Sequence, residues 1–288
     1  MIAQVHNSKT RARAGHTAAI AAAILLSSFC VFALPPGQKP DQKDDQNSAS
    51  VQPVLGKAQE QMAQFVDQFG TMRCDEHIVQ QKLKDKDSDK VQYGQETVYD
   101  SFIRIHFEEG KIRVFEQHNE EKWPRKPVYK KPLATTHGFS TLAIIFHPYY
   151  AQSFRFSRLG DDVLDGHSLA RIHFEHIPGT PSPAMYQRFA GDQTIEFSGT
   201  AWIDPGTGTI YRLDADTGSS LKEMGLKDLR AQLTYGPVTL EDEQQPRWLP
   251  VSATVDLETP RQHWRNIHHF TDYRKYRSAV KLDQGDQP

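Results

Sequence analysis

The sequence has few cysteines, no excess of charge of either sign, and no apolar run after residue 33 that is long enough to cross a membrane. Two cysteines in 288 residues exclude a disulfide framework and a zinc site built from several thiolates. Lys and Arg total 34 against 36 Asp and Glu, so no basic excess would hold a nucleic acid through its phosphates. Because 38% of the residues are hydrophobic, we expect a globular protein with one sizeable core and no nucleic-acid partner.

Recognisable catalytic and cofactor motifs are also missing. The sequence has no Gly-x-Ser-x-Gly elbow, no phosphate loop and no Gly-x-Gly-x-x-Gly after a strand. On a strand, His173–His176 would bring only two ligands to one face, and His268 and His269 would point in opposite directions. Asp85–Asp89 lacks the glycine and the closing glutamate of a calcium loop. We therefore predict no enzymatic activity, no cofactor and no metal, although a hydrolase with an unfamiliar site stays an alternative.

The first 33 residues have the pattern of a secretory signal. Three basic residues precede an apolar stretch over Ala18–Ala33, and small residues lie where a signal peptidase would cleave. We expect cleavage before Leu34 and export to the periplasm or another exported location. An uncleaved membrane anchor is the alternative. Lipidation of Cys30 is disfavoured because the bulky Phe29 precedes it.

Composition divides the rest of the chain into three parts. Residues 34–53 are rich in Pro, Asp, Gln, Lys and Ser and predict a flexible linker. A single domain is expected over residues 54–282, followed by a disordered tail at 283–288. Cys74 is the one cysteine of that domain. It is expected to be a small buried side chain, with pairing between two chains as the alternative.

The domain opens with an amphipathic helix and continues as strands. Over Leu55–Met72 the apolar residues recur at spacings of three and four. Period-two patterns follow, with one hairpin turning at Glu109-Gly110, a second turning at Asp204–Gly208, and further strands at 229–235, 249–257 and 267–276. The pattern predicts an α+β fold, mostly antiparallel β, with a single curved sheet that is apolar on one face.

One segment in the middle of the chain departs from this alternation. Phe139–Tyr150 is apolar on all sides, with Ser140 able to cap a short helix and Pro148 able to end it. A helix that is apolar all round must be buried on all sides. It could plug the concave face of the sheet, or pack on the sheet as a plain core helix.

The second hairpin carries a resemblance to a known family. Its turn reads Trp-Ile-Asp-Pro-Gly-Thr-Gly over Trp202–Gly208 and is followed by Ile-Tyr-Arg-Leu over Ile210–Leu213. This turn, together with the order of signal, amphipathic helix, meander and short apolar helix, resembles the outer-membrane lipoprotein-sorting protein superfamily. The closing strand Tyr273–Tyr276 is also similar to that of uncharacterised secreted members. The resemblance implies an open half-barrel whose concave face is covered by helices and holds acyl chains or other apolar ligands.

The resemblance implies a non-catalytic, exported cell-envelope protein that binds or carries a lipid or an acylated protein. The expected ligand-binding residues lie on the two helices: Phe65, Phe69, Leu142, Ile144, Ile145 and Phe146. The alternative is an envelope structural or protein-interaction module with a filled core and no ligand. The basic and aromatic segment Glu120–Lys131 could contact lipid headgroups or an envelope protein, or be a long polar loop.

Overall fold

The computed structural model describes residues 2–4, 42–84, 89–120, 135–188, 191–218, 221–222 and 225–276. In chain order the elements are β1 (Ile2–Gln4), α1 (Gln42–Phe69), β2 (Thr71–Leu83), β3 (Val91–Glu108), β4 (Lys111–Glu120), β5 (Thr135–His137), a 3-10 helix (Leu142–Phe146), α2 (Pro148–Ala151), β6 (Phe154–Leu164), β7 (His167–His176), β8 (Met185–Arg188), β9 (Gly191–Thr194), β10 (Ser198–Ile203), β11 (Ile210–Asp216), β12 (Asp228–Val238), β13 (Arg247–Glu258) and β14 (His263–Lys275).

Ten of the strands form one antiparallel sheet in the order β4-β3-β2-β14-β13-β12-β11-β10-β7-β6. The last strand, β14, lies between β2 and β13. It thereby joins the strands β2 to β4 to the rest of the sheet. Within the described residues β4 and β6 are the free edges, so the sheet is an open half-barrel. The predicted α+β fold with a single open sheet is confirmed. Two short pairs, β1 with β5 and β8 with β9, lie outside this sheet.

Alternation of side chains gives the sheet one buried and one exposed face. Along β2 every second residue is buried from Met72 to Gln80, while the residues between them are partly exposed. The first predicted hairpin is confirmed, and its turn residues Glu109 and Gly110 have φ values of 52° and 74°. Cys74 is buried and lies outside any disulfide. The buried face meets α1 and the 3-10 helix in one continuous core.

The long helix begins earlier than the sequence indicates. α1 starts at Gln42, so the second half of the segment expected to be a linker, residues 34–53, is helical. Tertiary packing explains the difference, because Val51 and Val54 are buried against the core. Both valines precede Leu55–Met72, so the spacing of apolar residues in that range gave no indication of their contacts.

Parts of the predicted targeting and terminal segments lie outside the described residues. This applies to the expected signal over residues 1–33, apart from 2–4, and to the tail at 283–288. Loss of residues 1–33 would remove β1 from its pair with β5 and nothing from the ten-stranded sheet. Among the helices that the structure describes, none is both long enough and apolar enough to cross a membrane.

The short apolar helix forms, but its first turn differs from the prediction. It is a 3-10 helix over Leu142–Phe146, and Thr141 occupies its N-cap position, so Ser140 does not cap it. The helix ends before Pro148 as predicted: the residue preceding the proline, His147, is extended, and Pro148 itself opens α2 at a position where a missing N–H costs nothing. The α2 cap is His147, whose Nδ1 accepts a hydrogen bond from the Tyr149 N–H at 3.0 Å.

Candidate functional site

The mid-chain helices span the open side of the half-barrel. α2 contacts the edge strand β6. On the other side the Tyr150 hydroxyl donates a hydrogen bond of 3.3 Å to the Ile112 carbonyl of the edge strand β4. The 3-10 helix lies beneath α1, and its five residues are all buried. The structure thus has the arrangement of a plug across the concave face.

The apolar interior beneath these helices is closely packed. Ile145 and Phe146 are fully buried, and the Phe146 ring lies 5.3 Å from Phe156 of β6 and 6.3 Å from Phe174 of β7. Phe154 lies within 6.2 Å of both of these aromatic rings. We call the buried residues Leu142–Phe146 with these three phenylalanines the apolar cluster.

The predicted ligand-binding residues belong to this interior. Phe69 and the four residues predicted in the 3-10 helix are buried in the same core, and Phe65 packs at its border with its ring 5.0 Å from that of Phe69. Sequence reasoning therefore found residues that meet in space. Their role toward a ligand stays a prediction.

A cleft leads from solvent to the apolar cluster. It lies between α1, α2 and the edge strand β6 and has a volume of about 380 Å³. Its walls include Val51 and Leu55 of α1, Ala151 of α2, and Phe154 and Phe156 of the apolar cluster. This volume is at the lower end of the range of roughly 300–1,000 Å³ for small-molecule sites. Three glutamines, Gln52, Gln59 and Gln152, line the same cleft, so its walls are partly polar and partly apolar.

The hairpin that carries the family resemblance holds α1 in place. Lys57 of α1 donates hydrogen bonds to the carbonyls of Pro205 at 3.0 Å and Gly206 at 2.9 Å. Gly208 has a φ of 79°, and a Cβ at this position would overlap the α1 backbone and lie 2.6 Å from the Ala58 nitrogen. Glycine is thus required at residue 208 for both its backbone conformation and its contact with the helix.

The rest of that hairpin is explained by contacts on the convex face. The Asp204 carboxylate accepts hydrogen bonds from the backbone N–H groups of Gly206 at 2.6 Å and Thr207 at 3.0 Å, which fixes the turn. The Arg212 guanidinium lies 4.6 Å from the Trp202 ring centroid, on the strand directly opposite.

A second group of residues on the concave face was missed by the sequence analysis. Glu76 of β2 is buried, and its Oε1 accepts a hydrogen bond of 2.6 Å from Nδ1 of His268 on β14. Its Oε2 accepts one from the Ser101 hydroxyl and lies 2.9 Å from Nε2 of His118 on β4. The Thr136 hydroxyl, 2.8 Å from His268 Nε2, fixes the far side of that ring.

His118 also joins a second carboxylate to this group. Its Nε2 lies 2.9 Å from Oε1 of Glu116, and the other oxygen of Glu116 accepts hydrogen bonds from the Gly138 N–H at 2.9 Å and the Ser140 hydroxyl at 3.4 Å. The side chains of His118 and Glu116 are 5% and 9% exposed. We call Glu76, Glu116, His118 and His268 the ionic cluster. Sequence patterns within single strands did not predict that His118 and His268, which lie on separate strands, contact one carboxylate.

Pairing within the ionic cluster outweighs the cost of burial. Burial acts to lower the pKa of His118, but its hydrogen bonds to Glu116 and Glu76 raise that pKa to about 10. Burial acts to raise the pKa of Glu76, but the hydrogen bonds from His118 and His268 lower it well below its ordinary value. His118 is therefore a cation that bridges two carboxylates at neutral pH. Since Nε2 faces both carboxylates, this nitrogen carries the shared proton.

Two segments singled out in the sequence lie mainly outside the described residues. The basic and aromatic segment Glu120–Lys131 is one, described only at Glu120, where β4 ends. The acidic segment Asp85–Asp89 is the other, of which Asp89 alone is described, with its carboxylate 2.8 Å from the Arg265 guanidinium.

No family model and no curated protein matches the chain. Among solved structures it is similar to a DUF1329 family protein from Desulfovibrio piger, with a TM-score of 0.43 and 12% identity over 82% of this chain and 95% of that chain. It is also similar to a LolA superfamily protein from Nitrosomonas europaea, with a TM-score of 0.37 and 10% identity over 83% of this chain and 94% of that chain. A third similar structure is a domain from Vibrio parahaemolyticus named for outer membrane lipoprotein sorting. Its TM-score is 0.42, with 13% identity over 81% of this chain and 94% of that chain.

Proposed function

We propose that this protein binds an apolar ligand with a hydrocarbon chain, such as a lipid or the acyl group of a modified protein, beneath its covering helices. The observation that carries the proposal is the cleft between α1 and β6, which connects solvent to the apolar cluster through walls that include Leu55, Phe154 and Phe156. Burial of one methylene group contributes roughly 0.8 kcal/mol, so the roughly 8 kcal/mol of micromolar binding requires about ten buried methylenes.

In this proposal α1 is a cover that moves and the sheet is a rigid frame. The apolar cluster is filled by its own side chains, so a long chain can enter only if the helices shift outward from β6. Movement of α1 would break the two hydrogen bonds that the exposed Lys57 donates to the 204–208 turn and would lift buried residues such as Val51 and Leu55 from the core. The six predicted residues, from Phe65 to Phe146, would then line the opened site.

The test is to fill the cleft without altering the core. Gln52 lies at the cleft and is exposed, whereas Gln64 is exposed on the same helix away from it. We expect Gln52→Trp to weaken binding of a fluorescent fatty acid about tenfold, a change of about 1.4 kcal/mol, and Gln64→Trp to leave it unchanged. Equal affinities for the wild type and both variants would show that ligand does not enter there. Absence of binding by the wild type would remove the proposal.

Export is part of the same proposal. A protein that carries lipid between envelope layers must be outside the cytoplasm, and the first 33 residues have the pattern of a secretory signal. N-terminal sequencing of the protein from its native cell should give a start at or near Leu34. A start at Met1 would contradict the cleavage.

An interaction module is the second candidate, and one observation favours it. The edge strand β6 exposes Leu159 and Val163, at 49% and 70% of their surfaces, and an edge strand can pair with a strand of another protein. If this is the function, Val163→Lys should abolish association with an envelope partner and leave fatty acid binding unchanged. Intact association in that variant would contradict it.

A further inference from the structure

Three donor atoms of the ionic cluster converge on one point. These are Oε2 of Glu76, Oε1 of Glu116 and Nε2 of His118, and all three lie within 4.8 Å of one another. They come from two strands that are not adjacent, since β3 lies between β2 and β4. The side chains are 2%, 9% and 5% exposed, so the point is nearly closed to solvent on the concave side.

The spacing of these atoms fits a metal ion of the size of zinc. Four ligand atoms at about 2.0–2.1 Å from a tetrahedral zinc ion are separated from each other by roughly 3.3 Å. The two measured separations, from His118 Nε2 to each carboxylate oxygen, are both 2.9 Å. An outward movement of a few tenths of an ångström in each side chain would therefore accommodate the ion.

The atoms that do not face this point are held by other groups. Oε1 of Glu76 is bound by His268, which is in turn fixed by Thr136. Oε2 of Glu116 is bound by the Gly138 N–H and by Ser140. Ligands in metal sites are oriented in this way by hydrogen bonds to their outer atoms. The remaining oxygen of each carboxylate is thereby directed toward His118.

We propose that Glu76, Glu116 and His118 form a zinc-binding site on the concave face of the sheet. Imidazole nitrogen and carboxylate oxygen are both ordinary zinc ligands, and three protein ligands leave a fourth position for water. Binding forms the bond from Nε2 to zinc and releases the proton now shared by the two carboxylates to solvent. The ion would fasten β4, an edge strand, to β2 in the middle of the sheet. The site is separate from the cleft and does not depend on the proposed function.

The test is zinc binding by the full chain after dialysis against a chelator. We expect one zinc ion per chain with a dissociation constant on the order of 1 µM or tighter, and a rise in thermal midpoint on addition of zinc. Glu116→Gln keeps the shape of the side chain and its contacts with Gly138 and Ser140 but loses the charged ligand. We expect this variant and His118→Gln to bind zinc about 100-fold more weakly.

A second histidine and glutamate pair provides the matched control. His77 and Glu96 are 3.2 Å apart on the convex face, with side chains 41% and 57% exposed. His77→Ala should leave zinc affinity unchanged. Wild-type binding weaker than about 100 µM, or equal affinity in the wild type and Glu116→Gln, would overturn the proposal.

A spectroscopic measurement on the wild type keeps the test independent of how well the variants fold. X-ray absorption of the zinc-loaded chain should show a shell of nitrogen and oxygen at about 2.0–2.1 Å with one imidazole. Sulfur in that shell, or two or more imidazoles, would overturn the assignment of these three ligands.

Discussion

The apolar cluster and the ionic cluster occupy the same concave face and are built in opposite ways. Around Ile145 the interior consists of aliphatic and aromatic side chains in contact, and no fixed partner is needed for any of them. Around Glu76 both carboxylate oxygens have specific partners, supplied by strands far apart in the sequence. Packing among hydrocarbons tolerates rearrangement, whereas a buried ionic group loses stability as soon as one partner is removed. The proposed function requires this difference, since the apolar half would have to open for a ligand while the ionic half stays fixed.

The largest effect is expected in the apolar cluster. Ile145→Ser removes a fully buried side chain and places a hydroxyl among hydrocarbons. We expect a loss of about 4 kcal/mol in the free energy of unfolding, measured by urea denaturation. The matched change Val163→Ser, at a residue that is 70% exposed, should cost less than about 0.5 kcal/mol. A small loss at Ile145 would mean that this interior is not packed.

In the ionic cluster, removal of the central carboxylate should have a somewhat smaller effect. Glu76→Leu removes the carboxylate oxygen beside His268 Nδ1 and leaves His118 paired with Glu116 alone, and we expect a loss of about 3 kcal/mol. Glu96→Leu removes the exposed carboxylate beside His77, on a surface where an ion pair contributes little, so its effect should be within about 0.5 kcal/mol. Equal losses at the two glutamates would contradict the assigned difference in burial.

α1 lies between the apolar cluster and solvent, and a single substitution in the 204–208 turn should weaken its packing. Gly208→Ala would put a Cβ into the α1 backbone at a residue with a φ of 79°, and we expect a loss of about 2 kcal/mol. The same variant should release a bound fatty acid faster than the wild type, as measured by stopped-flow fluorescence. Gly218 also has a positive φ, but open space surrounds it. Gly218→Ala is therefore the control that shows the cost of backbone strain alone, without displacement of the helix.

The smallest effect is one of pH and should come from the ionic half alone. His118 has a pKa of about 10 in the folded chain, above its ordinary value of 6.5, so its contribution to stability is complete below pH 6.5 and is lost as pH rises toward 10. With Glu76 and Glu116 facing it, we expect the thermal midpoint in chelator to fall on the order of 5 °C between pH 6.5 and 9.5. His118→Gln should flatten this decline, and an unchanged slope would contradict the bridging role.

The sheet was predictable from the sequence because most of its strands alternate clearly. The hairpin at Glu109-Gly110 and the strands β12 to β14 follow from period-two patterns and turn residues alone. β2 was not identified. Its inward positions include Glu76 and Gln80, which interrupt the apolar alternation that a strand with one buried face should have.

That interruption was also the one local signal of the ionic cluster. A glutamate between Cys74 and Ile78 on an inward face must have a partner. The partners are 42 and 192 residues away in the chain, as His118 and His268, and strand order brings them together. Spacing within one strand cannot show such a site, because its members lie on different strands.

The most direct test of the account is to identify what the native protein carries. The wild type, Gln52→Trp and Gln64→Trp should be purified from the native cell without detergent, and their organic extracts compared by mass spectrometry. The account predicts acyl lipid in comparable amounts from the wild type and Gln64→Trp, and much less from Gln52→Trp. No lipid from any of the three, or equal amounts from all three, would contradict it.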